Sequence, residues 1–367
     1  MKLFNILFLA IKASEYEFLK YRHEIDSVLF SFFSSKTELR HLKLYEPHFF
    51  PQRAPHEFYF KGRNGFFHIP FKLIFYVRRH QPDVLLIHGF VFPVQLLSLL
   101  LMVKKRPKVI IQHHAEKPFA NPVKHLFQKL AYAQADAYLF TSGDLAKAYL
   151  DLRIIPDKTK IHEVMEGSSQ FKMLNKSQAR ELLDLASCSL FLWVGRLDVN
   201  KDPLLVLEAF KRYKNMGHDF KLYMIYSGNE LELRVKKYLV DNALTDCVHL
   251  VGKVPHTELE SWYNAADYFV SASHYEGGGI AMCEAMSCGC IPIVTAIPSF
   301  IKMTGNGRVG YLYEPGNVDA LSEKLASLEH NNRAQMSINV RAQFENHLSL
   351  PAIGQSIEKI AASLLNK

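Results

Sequence analysis

The segment SHYEGGGIAMCEAMSCGCIPIV holds the residue types best suited to chemistry in this chain. Glu276 precedes Gly277, Gly278 and Gly279, and Ile280 then opens an apolar helical run that carries Glu284. Three glycines let a backbone approach a ligand closely, and the N–H groups at the start of the following helix form a positive end that suits an anion. Carboxylates at the two ends of such an element sit at different depths of one pocket and accept hydrogen bonds from vicinal hydroxyls, as a sugar or a ribose presents them. A plainer alternative is an ordinary strand-to-helix turn with Glu276 as the helix cap and Glu284 facing solvent. A second element weighs against that alternative. WVGRLDVNKDP puts Gly195, Arg196 and Lys201 just after a predicted strand, at the carboxyl end of a parallel sheet, where ligands of such sheets bind. Two cations facing a glycine-rich helix start would neutralise a diphosphate. A third element is IIQHHAEKP, in which a strand ends in His113 and His114 on the same kind of edge.

The elements that must position these residues follow from an alternation of short β-rich apolar runs with longer helical patterns, the signature of α/β units around parallel sheets. In the first half, strands are predicted at Leu3 to Leu9, Val84 to His88, Val109 to Gln112, Ala137 to Thr141 and Lys160 to Val164. Met165 to Ser189 is polar and poorly periodic and reads as a linker with a short helix. A second series follows at Leu190 to Val194, Phe220 to Tyr226, Val248 to Val251, Tyr268 to Ser271, Ile291 to Val294 and Tyr311 to Tyr313, with Pro203 opening the first helix between them. From Val318 onward the pattern is helical only. A chain of 367 residues, 49% hydrophobic and 22% charged, has room for two such domains and is too apolar for extended disorder.

A formal charge of +8 directs the surface toward anionic partners. Cys188, Cys247, Cys283, Cys288 and Cys290 are odd in number and lack paired C-x-x-C spacing, so they read as free, mostly buried thiols of a reducing compartment. The N-terminal run MKLFNILFLAIK reads as a first buried strand rather than a signal peptide. Phe90 to Val103 is shorter than the roughly 20 apolar residues that span a bilayer and contains Pro93, so it reads as a buried helix. It ends in Lys104, Lys105, Arg106 and Lys108, and this apolar and basic stretch is the expected contact with an anionic membrane surface. No aromatic-interleaved basic motif accompanies it, so no nucleic-acid partner is expected.

On Glu276 and Glu284 in an E-x7-E pattern, on VGRL followed by Lys201, and on HEVMEGSSQF where a strand is usually followed by a Pro-Asn-Gly-Val-Asp turn, the sequence resembles the retaining nucleotide-sugar glycosyltransferases of the GT-B fold, family 4. The resemblance runs from about Val109 to Leu325. It implies an α/β chain of two Rossmann-like domains whose parallel sheets face each other across a cleft. Residues 1–166 would form the acceptor-side domain, 167–345 the donor-side domain, and 346–367 a C-terminal helix packing back on the first. It implies further that Gly195, Arg196 and Lys201 bind the donor diphosphate, Arg196 and Lys201 stabilising its departure. Glu284 would hold the ribose hydroxyls, and Glu276 with Gly277, Gly278, Gly279 and Ile280 the donor sugar or its phosphates. A His after the Val109 to Gln112 strand lies near the transferred sugar in this family; His114 and His113 are both candidates, His114 the preferred one. The donor would be a UDP- or GDP-sugar and the acceptor a glycan or lipid-linked glycan. No cofactor and no metal are expected, because no Asp-x-Asp motif is present and the cations can replace a metal's charge. The implied place is the cytoplasm, with peripheral attachment at the inner face of the membrane.

Two departures from the family pattern stand out. Leu9, Ala10, Ile11 and Lys12 lead straight to Ser14 and Glu15, without the usual glycine-rich loop after the first strand, and Ala296, Ile297, Pro298, Ser299 and Phe300 stand where paired glycines and a Glu are common. Residues 13 to 80 match nothing in the family pattern. The alternatives to a transferase are a sugar-nucleotide epimerase or hydrolase of the same fold, and a non-catalytic scaffold subunit. GNGRVG at Gly305, Gly307 and Gly310 leads into a strand rather than a helix and reads as a loop, and Asn175 in its Asn-Lys-Ser sequon carries no function in a cytosolic protein.

Overall fold

A computed structural model describes residues 1–7, 26–33, 58–61, 66–67, 69–185, 188–328 and 332–366. The chain divides into two compact units, one formed by Met1–Gly167 with Leu350–Lys367, the other by Ser168–Ser349.

The first unit is built on seven parallel strands: β1 (Lys2–Leu7), β2 (Asp26–Phe33), β3 (Phe58–Lys61), β4 (Val84–His88), β5 (Lys108–Gln112), β6 (Ala137–Phe140) and β7 (Ile161–Glu163). Their order is β3-β2-β1-β4-β5-β6-β7, so the winding direction reverses between β1 and β4. All five residues of β4 are buried and apolar up to His88, the continuous pattern of a strand covered on both faces. Helices α1 (Phe71–His80), α2 (Pro93–Met102), α3 (Pro122–Tyr132) and α4 (Lys147–Asp151) connect the later strands. α2 and α3 each start with Pro, whose missing N–H is harmless in a first turn, and Asn121 caps α3 by accepting from Lys124 N–H at 3.1 Å. The core centres on Phe90, which packs against Tyr132, Phe140 and Tyr149 at centroid distances of 4.5–5.7 Å.

The second unit has six parallel strands, β8 (Ser189–Arg196), β9 (Phe220–Ser227), β10 (Val248–Gly252), β11 (Tyr268–Ser271), β12 (Ile291–Thr295) and β13 (Tyr311–Tyr313), in the order β10-β9-β8-β11-β12-β13. Its helices are α5 (Lys176–Leu182), α6 (Pro203–Asn215), α7 (Glu232–Asp241), α8 (His256–Ala265), α9 (Ile280–Ser287), α10 (Pro298–Met303), α11 (Val318–Ala326) and α12 (Arg333–His347); α13 (Leu350–Leu365) closes the chain and belongs to the first unit. Buried Asp267, just before β11, gathers Lys176, Arg180 and Arg333 within 2.8–2.9 Å and accepts the Leu190 N–H. Burial alone would push its carboxyl up, but Lys176 and the other donors hold it below the usual carboxylate range. One acid thereby ties α5 and the start of α12 to the middle of the sheet.

Each predicted strand is present, some shifted by one or two residues at an end; Leu9 lies outside the described residues, as do Ala10 to Glu15. β2, β3 and α1 fall within residues 13 to 80, where the sequence reading placed no strand. Cys247, Cys283, Cys288 and Cys290 are buried, Cys188 is half-buried, and all five are free. Gly305, Gly307 and Gly310 form turns with positive φ that lead into β13. Asn175 caps α5 by accepting from Gln178 N–H. Phe90 to Val103 contains buried helix α2, as expected: Phe90, Leu96 and Leu99 are fully in the core, and Leu101 and Met102 at the helix end are exposed. Among the described residues no helix is long and apolar enough to cross a membrane.

Candidate active site

In the second unit the strand order reverses between β8 and β11, and ligands of open parallel sheets bind outside the carboxyl ends of strands at such a switch point. Two of the sequence elements singled out above converge there. β8 ends in Gly195 and Arg196, and the turn that follows is pinned by Asp198, which accepts the Lys201 N–H at 3.0 Å. From the β11 side, His274 N–H donates to the Asn200 carbonyl at 2.9 Å, Asn200 Nδ2 donates to the Tyr275 carbonyl at 3.0 Å, and the His274 ring meets Asp202 at 3.0 Å. These bonds lace the two loops together and bring Lys201 Nζ onto Glu276 in an ion pair whose partners are both largely withdrawn from solvent. Gly195 makes room for this reach: a Cβ there would come within 3.2 Å of the Trp193 ring and 3.5 Å of Lys201 Cδ. Arg196 lies on the same edge with its side chain in solvent, paired with Asp198 at 2.9 Å.

Gly277, Gly278 and Gly279 are buried behind this pair. Gly279 takes φ +55° as the residue before α9, and a Cβ there would stand 2.9 Å from the Phe300 ring, so both backbone and space require glycine. No side chain caps α9, and Ile280 at its first turn is exposed. Glu284, one turn further in, is only 5% exposed. The plain alternative, Glu276 as cap and Glu284 in solvent, is thereby excluded. Both Glu284 oxygens are engaged: Oε1 with His256 Nε2 at 2.6 Å and Oε2 with the Tyr263 hydroxyl at 3.1 Å. Burial, then the charge of Glu284, holds the Tyr263 phenol well above its usual range, so it is a fixed donor. His256 is largely exposed and lies against Phe171, ring centroids 5.0 Å apart. Sequence reasoning missed His256 and Tyr263, which stand 28 and 21 residues from the acid they serve, a separation with no local signal.

The two adjacent histidines of the first unit part company. His113 turns into the core, 2% exposed, stacked on Phe140 with centroids 4.7 Å apart, its Nε2 3.0 Å from the Glu116 carbonyl. Burial lowers its pKa, so it packs as a neutral ring; of the two candidates it is the one held in the core. His114 faces the other way at the end of β5. Its Nε2 lies 2.8 Å from His88 Nδ1, and its Nδ1 lies 3.2 Å from Glu166 Oε2. Glu166 is brought there by Gln112, the last residue of β5, whose amide donates to the Met165 carbonyl at 3.1 Å. His88 ends β4 and is fully buried; desolvation, then His114, drives its pKa well below the usual value. Neither His88 nor Glu166 was singled out from sequence.

Two doubly wound parallel-sheet units, with polar side chains gathered at strand ends, define the GT-B class. Solved structures agree: a glycosyltransferase from Rickettsia africae matches over 100% of this chain and 99% of its own at TM-score 0.75 and 17% identity. HepE of Anabaena, solved in complex with UDP, matches over 99% and 100% at TM-score 0.76 and 14% identity. The model of Glycosyltransferase Family 4 matches residues 21–162 and that of glycosyl transferases group 1 residues 186–343, so the chain belongs to the group 1 glycosyltransferases of the GT-B fold. Among curated proteins, the GDP-mannose:cellobiosyl-diphosphopolyprenol alpha-mannosyltransferase of Xanthomonas campestris is 27% identical over 259 residues, 67% of this chain and 64% of that protein. This chain thus spans less than two thirds of that relative's length.

Proposed function

We propose that the protein is a retaining, metal-independent glycosyltransferase that moves a sugar from a UDP- or GDP-sugar to a glycan or lipid-linked acceptor in surface polysaccharide assembly. The observation that carries the proposal is the placement of Lys201, Glu276, the glycine turn and buried Glu284 at one switch point. Glycosyl transfer passes through an oxocarbenium-like state while negative charge grows on the departing diphosphate. Lys201, Arg196 and the first N–H groups of α9 supply fixed positive charge for that diphosphate, which is the term most often decisive for such a step. Glu284, held by Tyr263 and His256, accepts the ribose hydroxyls, and Glu276 takes hydroxyls of the donor sugar once phosphate draws Lys201 from it. His114 serves on the sugar side. The Xanthomonas relative, whose name gives a GDP-mannose donor and a diphosphopolyprenol-linked acceptor, supports the donor and acceptor classes. HepE, solved with UDP, supports the nucleotide.

Calorimetric titration with UDP, GDP, ADP and TDP tests the donor. Saturable binding of one of them, lost in Glu284→Ala, is the expected result; no binding by any would remove the proposal. Transfer measured with and without EDTA tests metal independence, and the anomeric configuration of the product, read by NMR, tests retention. Free sugar in place of a transferred product would make the enzyme a hydrolase.

A further inference from the structure

The carboxylate of Glu284 is engaged from one face of a single helix. His256 opens α8 and Tyr263 follows seven residues later, about two turns, so both side chains lie on the face toward α9, which carries Glu284. The two contacts are unequal. Tyr263 is fully buried, and its hydroxyl fixes Oε2 at 3.1 Å. His256 holds Oε1 at 2.6 Å while 62% of its own side chain stays exposed. Because a carboxylate only accepts, His256 Nε2 carries the hydrogen of that bond. The aromatic neighbour of His256, Phe171, is fixed in its turn: the Lys172 N–H donates to Glu260 and the Leu174 N–H to Asn264, each at 2.6 Å and both acceptors on α8. Buried Tyr263 is enough to orient the carboxylate, whereas rotation of exposed His256 about its own side-chain bonds would clear Oε1.

We infer that His256 is a displaceable occupant of the Glu284 oxygen and thereby sets how sharply the site tells ribose from deoxyribose; the inference rests on the functional reading above, in which Glu284 accepts the ribose hydroxyls. A carboxylate offers about four lone-pair positions, and Tyr263 and His256 take one on each oxygen. A vicinal diol spans both oxygens, so it must compete with His256 for Oε1. A 2′-deoxyribose brings one hydroxyl, which can use the open position of Oε2 and leave His256 in place. The ribonucleotide is therefore held by its additional hydroxyl bond minus the His256 bond, while the deoxyribonucleotide loses nothing to His256. The same exchange meets the nucleotide sugar before transfer and the nucleoside diphosphate after it. His256 thus weakens donor and product alike, which speeds release of the product.

Calorimetry on the full chain with UDP and GDP, each beside its 2′-deoxy form, tests this. In His256→Ala the ribonucleotide that binds should be held about threefold to tenfold more tightly, the effect of one exchanged hydrogen bond, and its 2′-deoxy form should change by less than about twofold. The preference for ribose should widen by the same factor, and in transfer assays the donor KM and the product inhibition constant should fall together. His256→Phe keeps a ring beside Phe171 but cannot donate, and should behave as His256→Ala does. His256→Gln, which can still donate, should stay near the wild type. Weaker ribonucleotide binding in His256→Ala with a narrowed preference would make His256 a support for Glu284 and overturn the inference, as would unchanged affinities or an equal gain for the 2′-deoxy form. If instead Glu284→Ala leaves ribonucleotide affinity untouched, or neither nucleotide binds the wild type, the functional reading itself falls and the inference with it.

Discussion

The two strand-end clusters differ in how their charges are arranged. In the second unit the carboxylates arrive with partners of their own: Lys201 on Glu276, His256 and Tyr263 on Glu284. That site is electrostatically closed, and a ligand must exchange its own groups for protein ones. For a nucleoside diphosphate, the proposed ligand, the phosphates would replace Glu276 on Lys201 and the ribose hydroxyls would replace His256 on Glu284. In the first unit the cluster is imidazole-rich, His88 and His114 with Glu166, and burial keeps His88 neutral. In the proposed reaction the second unit's cluster would hold the anion and the first unit's would face the uncharged sugar, and the state of the latter depends on pH.

The most severe way to break the comparison is Lys201→Ala. It removes the fixed cation from the leaving group and leaves Glu276 unpaired beside it, so kcat for sugar transfer should fall about 100- to 1,000-fold, the effect of deleting one preorganised donor. Steady-state kinetics with a saturating donor read this directly. A loss under tenfold would move the charge stabilisation elsewhere, Arg196 being the next cation on that edge.

Glu284→Leu comes next. Tyr263 is fully buried, and removing its acceptor leaves a hydroxyl unpaired, which costs about 1–3 kcal/mol; urea unfolding should register it. Loss of a charged acceptor for ribose should also weaken nucleoside diphosphate binding roughly tenfold to a hundredfold, measured by calorimetry. Glu284→Gln, which still accepts from Tyr263, should recover most of the stability and less of the binding.

These residues also mark the limit of what the sequence discloses. Glu276, the glycines and Glu284 lie within nine positions, and Arg196 and Lys201 within six, so strand-turn-helix periodicity places them together without knowledge of the fold. The partners do not share that legibility. His256 meets Glu284 only because α8 packs beside α9, and Glu166 meets His114 only because β7 lies beside β6 and Gln112 anchors the chain beyond it. β2 and β3 had local signals, the runs DSVLFSFF and FYFK, yet without flanking family motifs they were not read as strands. Choosing between His113 and His114 was beyond periodicity: both follow β5, and the turn through Ala115, at φ +61°, decides which ring enters the core.

A pH titration sharpens the comparison further. The folded pKa values of His88 and His113 lie below the unfolded value near 6.5, so the unfolded chain binds more protons in that window and stability rises with pH there. Their contribution is present above about pH 6.5 and is lost as pH falls toward the folded values, with a slope of at most about 1.4 kcal/mol per pH unit for each ring. Hydrogen exchange across β4 and β5 should therefore lose protection between pH 7 and 5 before β8 and β11 do. Simultaneous loss in both units would assign the acid sensitivity to other groups.

The smallest expected effect is the most specific. Glu166→Gln keeps the size of the side chain and an oxygen that can accept from His114 Nδ1, so the ring orientation and its contact with His88 should survive. What disappears is a negative charge 3.2 Å from the imidazole. If Glu166 serves to orient the ring, Glu166→Gln should lower kcat/KM by less than about fivefold, whereas His114→Ala, which removes the ring itself, should lower it by more. A loss in Glu166→Gln as large as that in His114→Ala would assign the charge of Glu166, and not the orientation it imposes, to the reaction.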